Sequence, residues 1–317
     1  MKIAFTSCAR YKAFEKQPEW KYIKDYDPDY LFLLGDNIYM DFGWKGFSSD
    51  YNGSPKKLSP IDFKNKMSSK YVEQFSEENF KDLVTHMRSK NGFFATWDDH
   101  DFAWNNALGT DLCEEKLKIT TDFFHEKLNC STNQPKIYYH IDTPLARVIF
   151  LDNRSYAKKE KDKNYSILLG EEQFTFLEEK LNHNLPYTIV CGGLTLNATF
   201  LGLGDDWRKF PNDLKKLCLL LSQKDRVVFL AGDIHKNKFI EPKYISKLEC
   251  TTPFQLISSG MAINSLGIGH GIDEQHNWAT LELTTDKANI QFFKSNRLQA
   301  KKSQKATKAF NNYFTFL

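Results

Sequence analysis

Tyr30-Leu31-Phe32-Leu33-Leu34-Gly35-Asp36-Asn37-Ile38-Tyr39 is the stretch on which the fold prediction depends. Its apolar run, bounded by Pro28-Asp29 and Gly35, indicates a strand that is buried on both faces, as in a sheet covered by further layers. Asp36 follows the strand, at the place where sheet-based enzymes usually carry their chemistry. On this stretch alone, Asp36 could equally cap the next segment.

Three further predicted strands end in the same way. Residues 2–6 run into Ser7-Cys8, residues 93–97 into Asp98-Asp99-His100-Asp101, and residues 226–231 into Gly232-Asp233-Ile234-His235. A lone Asp or His after a strand is most often structural, but four such strand ends are hard to explain by packing. Carboxylates brought this close raise one another's pKa unless a cation neutralises them. The sequence therefore predicts a bound metal cluster.

The composition is that of a globular protein, with 317 residues, of which 41% are hydrophobic and 26% charged. A net charge of +3 favours neither nucleic acid nor a membrane surface as a partner. No stretch approaches the roughly 18 apolar residues of a membrane span, and the N-terminus lacks the apolar run of a signal peptide, so we expect a cytoplasmic protein. The six cysteines form no Cys-x-x-Cys pair, which gives no support to a zinc-ribbon site.

The order of predicted elements indicates the architecture. Strands alternate with helices and are followed by a hairpin-rich end, which predicts one layered α/β domain over residues 1–317 with a mixed sheet or sandwich at its centre. Residues 41–60 form a predicted surface loop that could cover a site. We expect a helix over residues 76–90, begun by Ser76, and a lysine-bearing helical tail over about 298–317.

The types of side chain at these strand ends indicate which metals they would hold. Thiolate, phenolate and imidazole, as offered by Cys8, Tyr39 and His235, suit a redox-capable ion, and phenolate favours ferric iron. Carboxylates favour a harder ion such as Ca²⁺, Mg²⁺ or Mn²⁺. Asp36 lies between these groups in chain order and is the natural carboxylate to bridge two ions. Two ions about 3.5–4 Å apart activate water and stabilise phosphoryl oxygens.

The motifs resemble those of the metallophosphoesterases, and specifically of the PhoD-type alkaline phosphatases, which are related to purple acid phosphatases. The matching stretches run in order from about residue 3 to 260. They are Ser7-Cys8, Gly35-Asp36-Asn37-Ile38-Tyr39, Trp97-Asp98-Asp99-His100-Asp101, Leu151-Asp152-Asn153-Arg154-Ser155-Tyr156 followed by Leu169-Gly170-Glu171-Glu172-Gln173, Asp205-Asp206-Trp207-Arg208-Lys209-Phe210-Pro211, and Gly232-Asp233-Ile234-His235. The resemblance implies a four-layer α-β-β-α sandwich with mixed central sheets.

The resemblance also implies a function, in which phosphate esters are hydrolysed by a metal-bound hydroxide at a centre of Fe³⁺ and Ca²⁺. Mn²⁺, Mg²⁺ or Zn²⁺ would also suit the second position. Arg154 would contact the phosphate through its forked guanidinium, and His100 would assist the leaving group as an acid. The metal ligands implied are Cys8, Asp36, Tyr39, Asp99, Asp233 and His235. Monoesters and diesters cannot be separated as substrates, and the oligomeric state is not predicted.

The chain also departs from this family's pattern. Residues 191–197 contain no His where many metallophosphoesterases place a ligand, so the second metal lacks one assigned partner. Asp98, Asn105 and Asn106 are additional candidates for that position. The N-terminal β domain and export signal usual in the family are not seen. An alternative is a non-catalytic binding protein on a phosphatase fold that contacts nucleic acid or acidic lipid through its basic tail. If the protein is a phosphoesterase, we expect it to bind nucleic acid only as a substrate.

Overall fold

The computed structural model describes residues 1–42, 52–128, 136–198, 205–263 and 276–294, together with the backbone of 310–314. The α-helices are α1 (Glu19–Tyr26), α2 (Pro60–Phe75), α3 (Glu78–Ser89), α4 (Asp99–Phe102), α5 (Glu114–Leu128), α6 (Gly170–Leu181) and α7 (Pro211–Leu221). The strands are β1 (Lys2–Thr6), β2 (Tyr30–Leu34), β3 (Phe93–Thr96), β4 (Tyr139–Asp142), β5 (Ala146–Phe150), β6 (Tyr187–Cys191), β7 (Val227–Ala231), β8 (Lys238–Ile240), β9 (Tyr244–Ile245), β10 (Cys250–Thr251), β11 (Phe254–Ile257), β12 (Trp278–Leu283), β13 (Ala288–Phe293) and β14 (Phe310–Phe314).

Two mixed six-stranded sheets form the centre of the molecule. The first sheet has the order β14-β13-β12-β1-β2-β3, and the second sheet has the order β4-β5-β6-β7-β11-β8. Strands β1, β2 and β3 run parallel to one another, as do β5, β6, β7 and β11. The carboxyl ends of each parallel set therefore meet at one edge of its sheet, which gathers the loops that follow those strands.

Side-chain alternation along the second sheet explains the layers. Phe150 on β5 faces the first sheet, where its ring centroid lies 5.2 Å from that of Phe32 on β2. The neighbouring residues Ile149 and Leu151 face the other way and share a core with α6 and α7. On the far side of the first sheet, apolar residues of α1, α2, α3 and α5 join its core. The structure thus confirms the predicted four-layer α-β-β-α sandwich with mixed sheets.

The helix region before β3 differs in part from the prediction. Helix α2 was not predicted, and it begins at Pro60 behind Ser59, whose hydroxyl accepts a hydrogen bond from the backbone N–H of Asp62. Helix α3 is capped by Glu77 rather than Ser76, because the Glu77 carboxylate accepts the backbone N–H of Phe80 at 2.7 Å. Residues 43–51 of the loop predicted over 41–60 lie outside the described residues.

The predicted helical tail is wrong over its described part. Phe310–Phe314 form β14, which pairs antiparallel with β13 at the edge of the first sheet. Aromatic residues favour strands, and the open edge of β13 supplies backbone partners that an isolated tail helix would lack. The lysine-bearing segment, residues 295–309, lies outside the described residues. Within the described part of the chain, no helix is long and apolar enough to cross a membrane.

Candidate metal centre

The strand ends predicted to carry the chemistry meet where the two sheets come together. Gly232, which follows β7 of the second sheet, lies so close to the first sheet that a Cβ atom there would stand 2.5 Å from Ser7 Oγ and 2.6 Å from the carbonyl oxygen of Leu34. Ser7 Oγ in turn donates to the carbonyl of Ser258, after β11, at 3.2 Å. Residues from both sheets therefore share one site.

One group of donor atoms surrounds the side chain of Cys8. A sulfur, a carboxylate oxygen and an imidazole nitrogen from Cys8, Asp36 and His235 lie within 4.8 Å of one another. The Tyr39 hydroxyl adds an oxygen, 3.1 Å from Asp36 Oδ2 and 3.4 Å from His235 Nε2. Four predicted iron ligands thus converge, three from the first sheet and one from the second.

A second group lies beside the first and shares one residue with it. Donor atoms of Asp36, Asp99 and His100 also lie within 4.8 Å of one another. Asp36 uses both oxygens in the centre, since Oδ2 faces the Cys8 sulfur at 3.3 Å and Oδ1 accepts the His100 backbone N–H at 3.2 Å. The carboxylate that belongs to both groups is the one predicted to bridge.

Burial sets the protonation tendencies of these groups. Burial raises the pKa of Cys8 to about 11. Burial and the negative charges of neighbouring groups raise the pKa of Asp36 and that of Tyr39 well above their ordinary values. Without a cation, burial and mutual repulsion favour the neutral thiol, carboxyl and phenol. A bound metal would offset both effects and favour the ionised form of each group, so these side chains fit a cation site.

Asp99 behaves differently from the other acids of the centre. Burial alone would raise its pKa, but the positive charges of Arg154 and His100 lower it below the ordinary value for Asp. Its side chain also accepts the backbone N–H of Asn106. The lowered pKa favours the ionised carboxylate of Asp99, which is the form that binds a metal through oxygen.

His100 is fixed on two sides. Its Nδ1 atom lies 2.8 Å from Asp41 Oδ1, and its ring packs at a tilt against that of Tyr39, with the ring centroids 4.3 Å apart. Its side chain is 14% exposed, so one face of the residue reaches solvent. The carboxylates of Asp99, Asp36 and Asp41 outweigh the effect of burial and raise the pKa of His100 to about 10. Asp41, which sequence reasoning missed, therefore orients the predicted acid.

Asp233 lies close to the centre without joining either donor group. Its backbone carbonyl is 4.0 Å from Cys8 Sγ. Burial, followed by the charges of Asp98 and Asp99, raises the pKa of its half-buried side chain well above the ordinary value. The charge of Asp99, a member of the second group, thus acts on Asp233. Asp233 is nevertheless not among the residues whose donor atoms lie within 4.8 Å of one another.

Arg154 has partners other than the predicted phosphate. Its side chain is 0% exposed, its Nε donates to Asp98 Oδ1 at 2.6 Å, and its Nη1 lies 3.2 Å from Asp205 Oδ2. A guanidinium enclosed among carboxylates cannot reach a substrate in solvent without leaving them. Asp98, named above as an additional ligand, is paired with Arg154 instead of belonging to either donor group.

Asn105 and Asn106, the other additional candidates, are exposed. Their backbone N–H groups donate to Asp41 and Asp99 respectively, so this turn supports the centre through its main chain. No sequence signal distinguished these backbone contacts from ligation by the amide side chains.

Two further residues support the centre in ways that the sequence did not predict. Ser259, after β11, donates from Oγ to Cys8 Sγ at 3.2 Å and accepts the backbone N–H of His235 at 2.9 Å. Asp101 accepts the backbone N–H groups of Asn37 at 3.0 Å and of Asp98 at 2.6 Å, which joins the loops after β2 and β3. The position of Asp101 inside a run of acids concealed its structural role, and Ser259 lies in no motif.

The chain is similar to known proteins over nearly its whole length. A family model described as PhoD-like phosphatase matches residues 3–312. Among solved structures, one described as the structure of PhoD is similar, with a TM-score of 0.69 and 17% identity over 99% of this chain and 68% of that one. A putative 5'-nucleotidase from Staphylococcus aureus, solved with alpha-ketoglutarate, gives a TM-score of 0.43 and 12% identity over 100% of this chain and 53% of that one. No curated protein matches the chain.

Proposed function

The chain belongs to the PhoD-like phosphatase family, and on this basis we propose that it hydrolyses phosphoric esters with Fe³⁺ and a hard divalent cation, best Ca²⁺, both of which Asp36 would hold. The observation that carries the proposal is that Asp36 belongs to both groups of donor atoms. A carboxylate with one oxygen towards each group is the arrangement that a pair of cations requires.

The iron position would be formed by Cys8, Tyr39, His235 and Asp36. Thiolate and phenolate are soft or strongly basic donors, and this set favours Fe³⁺ over a hard divalent ion. The proximity of the Tyr39 hydroxyl to both Asp36 and His235 supports this assignment. Mn²⁺, Mg²⁺ or Zn²⁺ could take the second position, where Asp99 and Asp233 would supply oxygen atoms.

Bound metal ions supply two things to phosphoryl transfer, activation of water and neutralisation of negative charge on the phosphoryl oxygens. The chain's own residues supply the proton. His100 would donate it to the departing oxygen, and Asp41 would hold the imidazole in the required orientation through Nδ1. The partial exposure of His100 supports this role, because a leaving group must have access to the acid.

Metal analysis combined with a substrate panel tests the proposal. The purified protein should contain iron and absorb visible light through phenolate or thiolate charge transfer. It should hydrolyse members of a panel of phosphomonoesters and phosphodiesters, and the panel decides which class is preferred. A colourless, iron-free protein with full activity would remove the iron assignment.

Tyr39→Phe provides a matched control for the colour. This substitution removes one oxygen and keeps the ring that packs against His100. The charge-transfer band should therefore shift to the wavelength of a thiolate-only centre while the fold is retained. An unchanged spectrum would show that the phenol does not ligate iron.

A further inference from the structure

Arg154 lies at the meeting point of the loops that follow β5 and β3. Its Nε and Nη2 atoms lie 2.6 and 2.5 Å from the same oxygen of Asp98. Its Nη1 atom lies 3.2 Å from Asp205, and Nη2 lies 4.0 Å from Asp99 Oδ2. One buried cation therefore faces three carboxylates, of which only Asp99 belongs to a donor group of the metal centre.

Asp98 has almost no freedom to move. A Cβ atom at Gly35, after β2, would lie 2.5 Å from Asp98 Cβ, and one at Gly193, after β6, would lie 2.6 Å from Asp98 Cγ. Only glycine fits at either position, so the carboxylate is enclosed by loops from both sheets. Asp98 is 0% exposed, and the pair it forms with Arg154 is buried throughout.

A buried carboxylate next to a metal centre competes for the metal unless a cation holds it elsewhere. Asp98 and Asp99 are neighbours in the chain, and both are buried. Arg154 contacts Asp98 closely and Asp99 only at 4.0 Å. Arg154 therefore holds Asp98 through Oδ1 and leaves Asp99 the freer of the two carboxylates, and of these two only Asp99 belongs to a donor group of the centre.

We propose that Arg154 is a positioning residue, which holds Asp98 away from the metal centre and leaves Asp99 free to bind there, and that it does not contact the substrate phosphate. The proposal rests on the proposed function, because it assigns a role within the same centre. It replaces the phosphate contact implied by the family resemblance, which would require the guanidinium to be accessible.

A double-mutant cycle tests this role. Arg154→Gln leaves the buried charge of Asp98 without a partner, so it should raise the unfolding equilibrium constant by at least about 100-fold and lower the content of the second metal. Asp98→Asn removes the closest carboxylate of Arg154 but leaves Asp205 at 3.2 Å, so its effects should have the same direction and be smaller. The double variant replaces the ion pair with two neutral amides. It should recover stability to within about tenfold of the wild type and regain the metal.

Turnover of the double variant decides between positioning and substrate contact. Positioning predicts that kcat recovers to within about tenfold, with an unchanged KM and an unchanged inhibition constant for inorganic phosphate. If the double variant is stable and metal-loaded but its KM and phosphate inhibition constant rise about tenfold or more, Arg154 contacts phosphate and the proposal is overturned.

Arg154→Lys gives a second route that keeps the charge and does not depend on the double variant. A lysine ammonium can pair with Asp98 but lacks the fork that also reaches Asp205. We expect a lower kcat with unchanged KM and phosphate inhibition. An unchanged kcat with raised KM would overturn the positioning role.

Arg147→Gln is the matched control, because Arg147 forms a two-pronged pair with the partly exposed Asp142 at 2.7 Å. It should change stability and turnover little. If the wild type binds metals but hydrolyses no ester, the proposed function fails, while the unfolding and metal content of the Arg154 and Asp98 variants still decide the role of Arg154.

Discussion

Ser259→Ala removes the hydroxyl that joins the two halves of the proposed iron site. Ser259 Oγ donates to the sulfur of Cys8 at 3.2 Å and accepts the backbone N–H of His235 at 2.9 Å. These two residues come from different sheets, so one small side chain links the ligands that each sheet contributes.

The size of the effect follows from the charge of the acceptor. A hydrogen bond to a charged group contributes about 1.5–3 kcal/mol, and the thiolate form of Cys8 is the form that binds a metal. Since about 1.4 kcal/mol corresponds to a factor of ten, Ser259→Ala should weaken iron binding by about 10- to 100-fold. Less hydrogen bonding to the sulfur also leaves it a stronger electron donor, so the thiolate charge-transfer band should move to longer wavelength.

Competition with a chelator of known affinity measures the first effect, and visible absorption measures the second. Ser258→Ala is a closely matched control, because Ser258 is equally buried and its Oγ has no hydrogen-bond partner among the described residues. Ser258→Ala should bind iron like the wild type. If Ser259→Ala and Ser258→Ala give the same affinity and the same spectrum, Ser259 does not act on the sulfur and the reasoning is refuted.

Three further predictions concern the shared carboxylate, the acid and the protons of the centre. Asp36→Asn should remove metal and activity together, because one residue serves both donor groups; wild-type turnover from this variant would refute the bridge. His100→Ala should lower kcat by about 10²–10⁴-fold and keep the metal content, with Asp41→Asn giving a smaller loss, whereas loss of metal from His100→Ala would make His100 a ligand. Because burial raises the pKa of Cys8 to about 11, iron must displace a proton from the thiol, and this proton alone should make the apparent affinity rise by up to about tenfold per pH unit. Calorimetry in buffers of different ionisation enthalpy counts the protons released, and a pH-independent affinity would contradict the last prediction.

The layered fold could be predicted from the chain because local signals and burial agree. The run from Tyr30 to Leu34 is apolar throughout, as a strand covered on both faces must be, and it forms β2 in the interior of the first sheet. The tail could not be predicted in this way. Whether Phe310–Phe314 form a strand depends on the free edge of β13, which is a partner outside the segment itself.

The residues of the centre could be predicted where a side chain that can bind a metal directly follows a strand. Cys8, Asp36 and His235 each follow a strand and carry a donor atom, and the structure brings the three together. Arg154 shows the limit of such reasoning. The sequence indicates a guanidinium near the site, but only burial and the positions of Asp98 and Asp205 show that it faces the protein interior.

Backbone conformation adds a physical reason why this centre is preformed. Three of its residues and the adjacent Asp233 have left-handed φ angles, which are 61° for Cys8, 51° for Asp36, 52° for His235 and 71° for Asp233. Each such residue costs of order 1–3 kcal/mol, a strain that persists only where surrounding contacts impose it. Asp101 imposes it on the loop after β2 by accepting the backbone N–H groups of Asp36 and Asn37, and Ser259 imposes it on the loop after β7 through His235. Glycine would relieve the strain at each position but would remove the donor atom. The site therefore needs side chains with donor atoms at positions where only glycine would be free of strain. Hydrogen bonds within the protein hold these residues in the strained conformation.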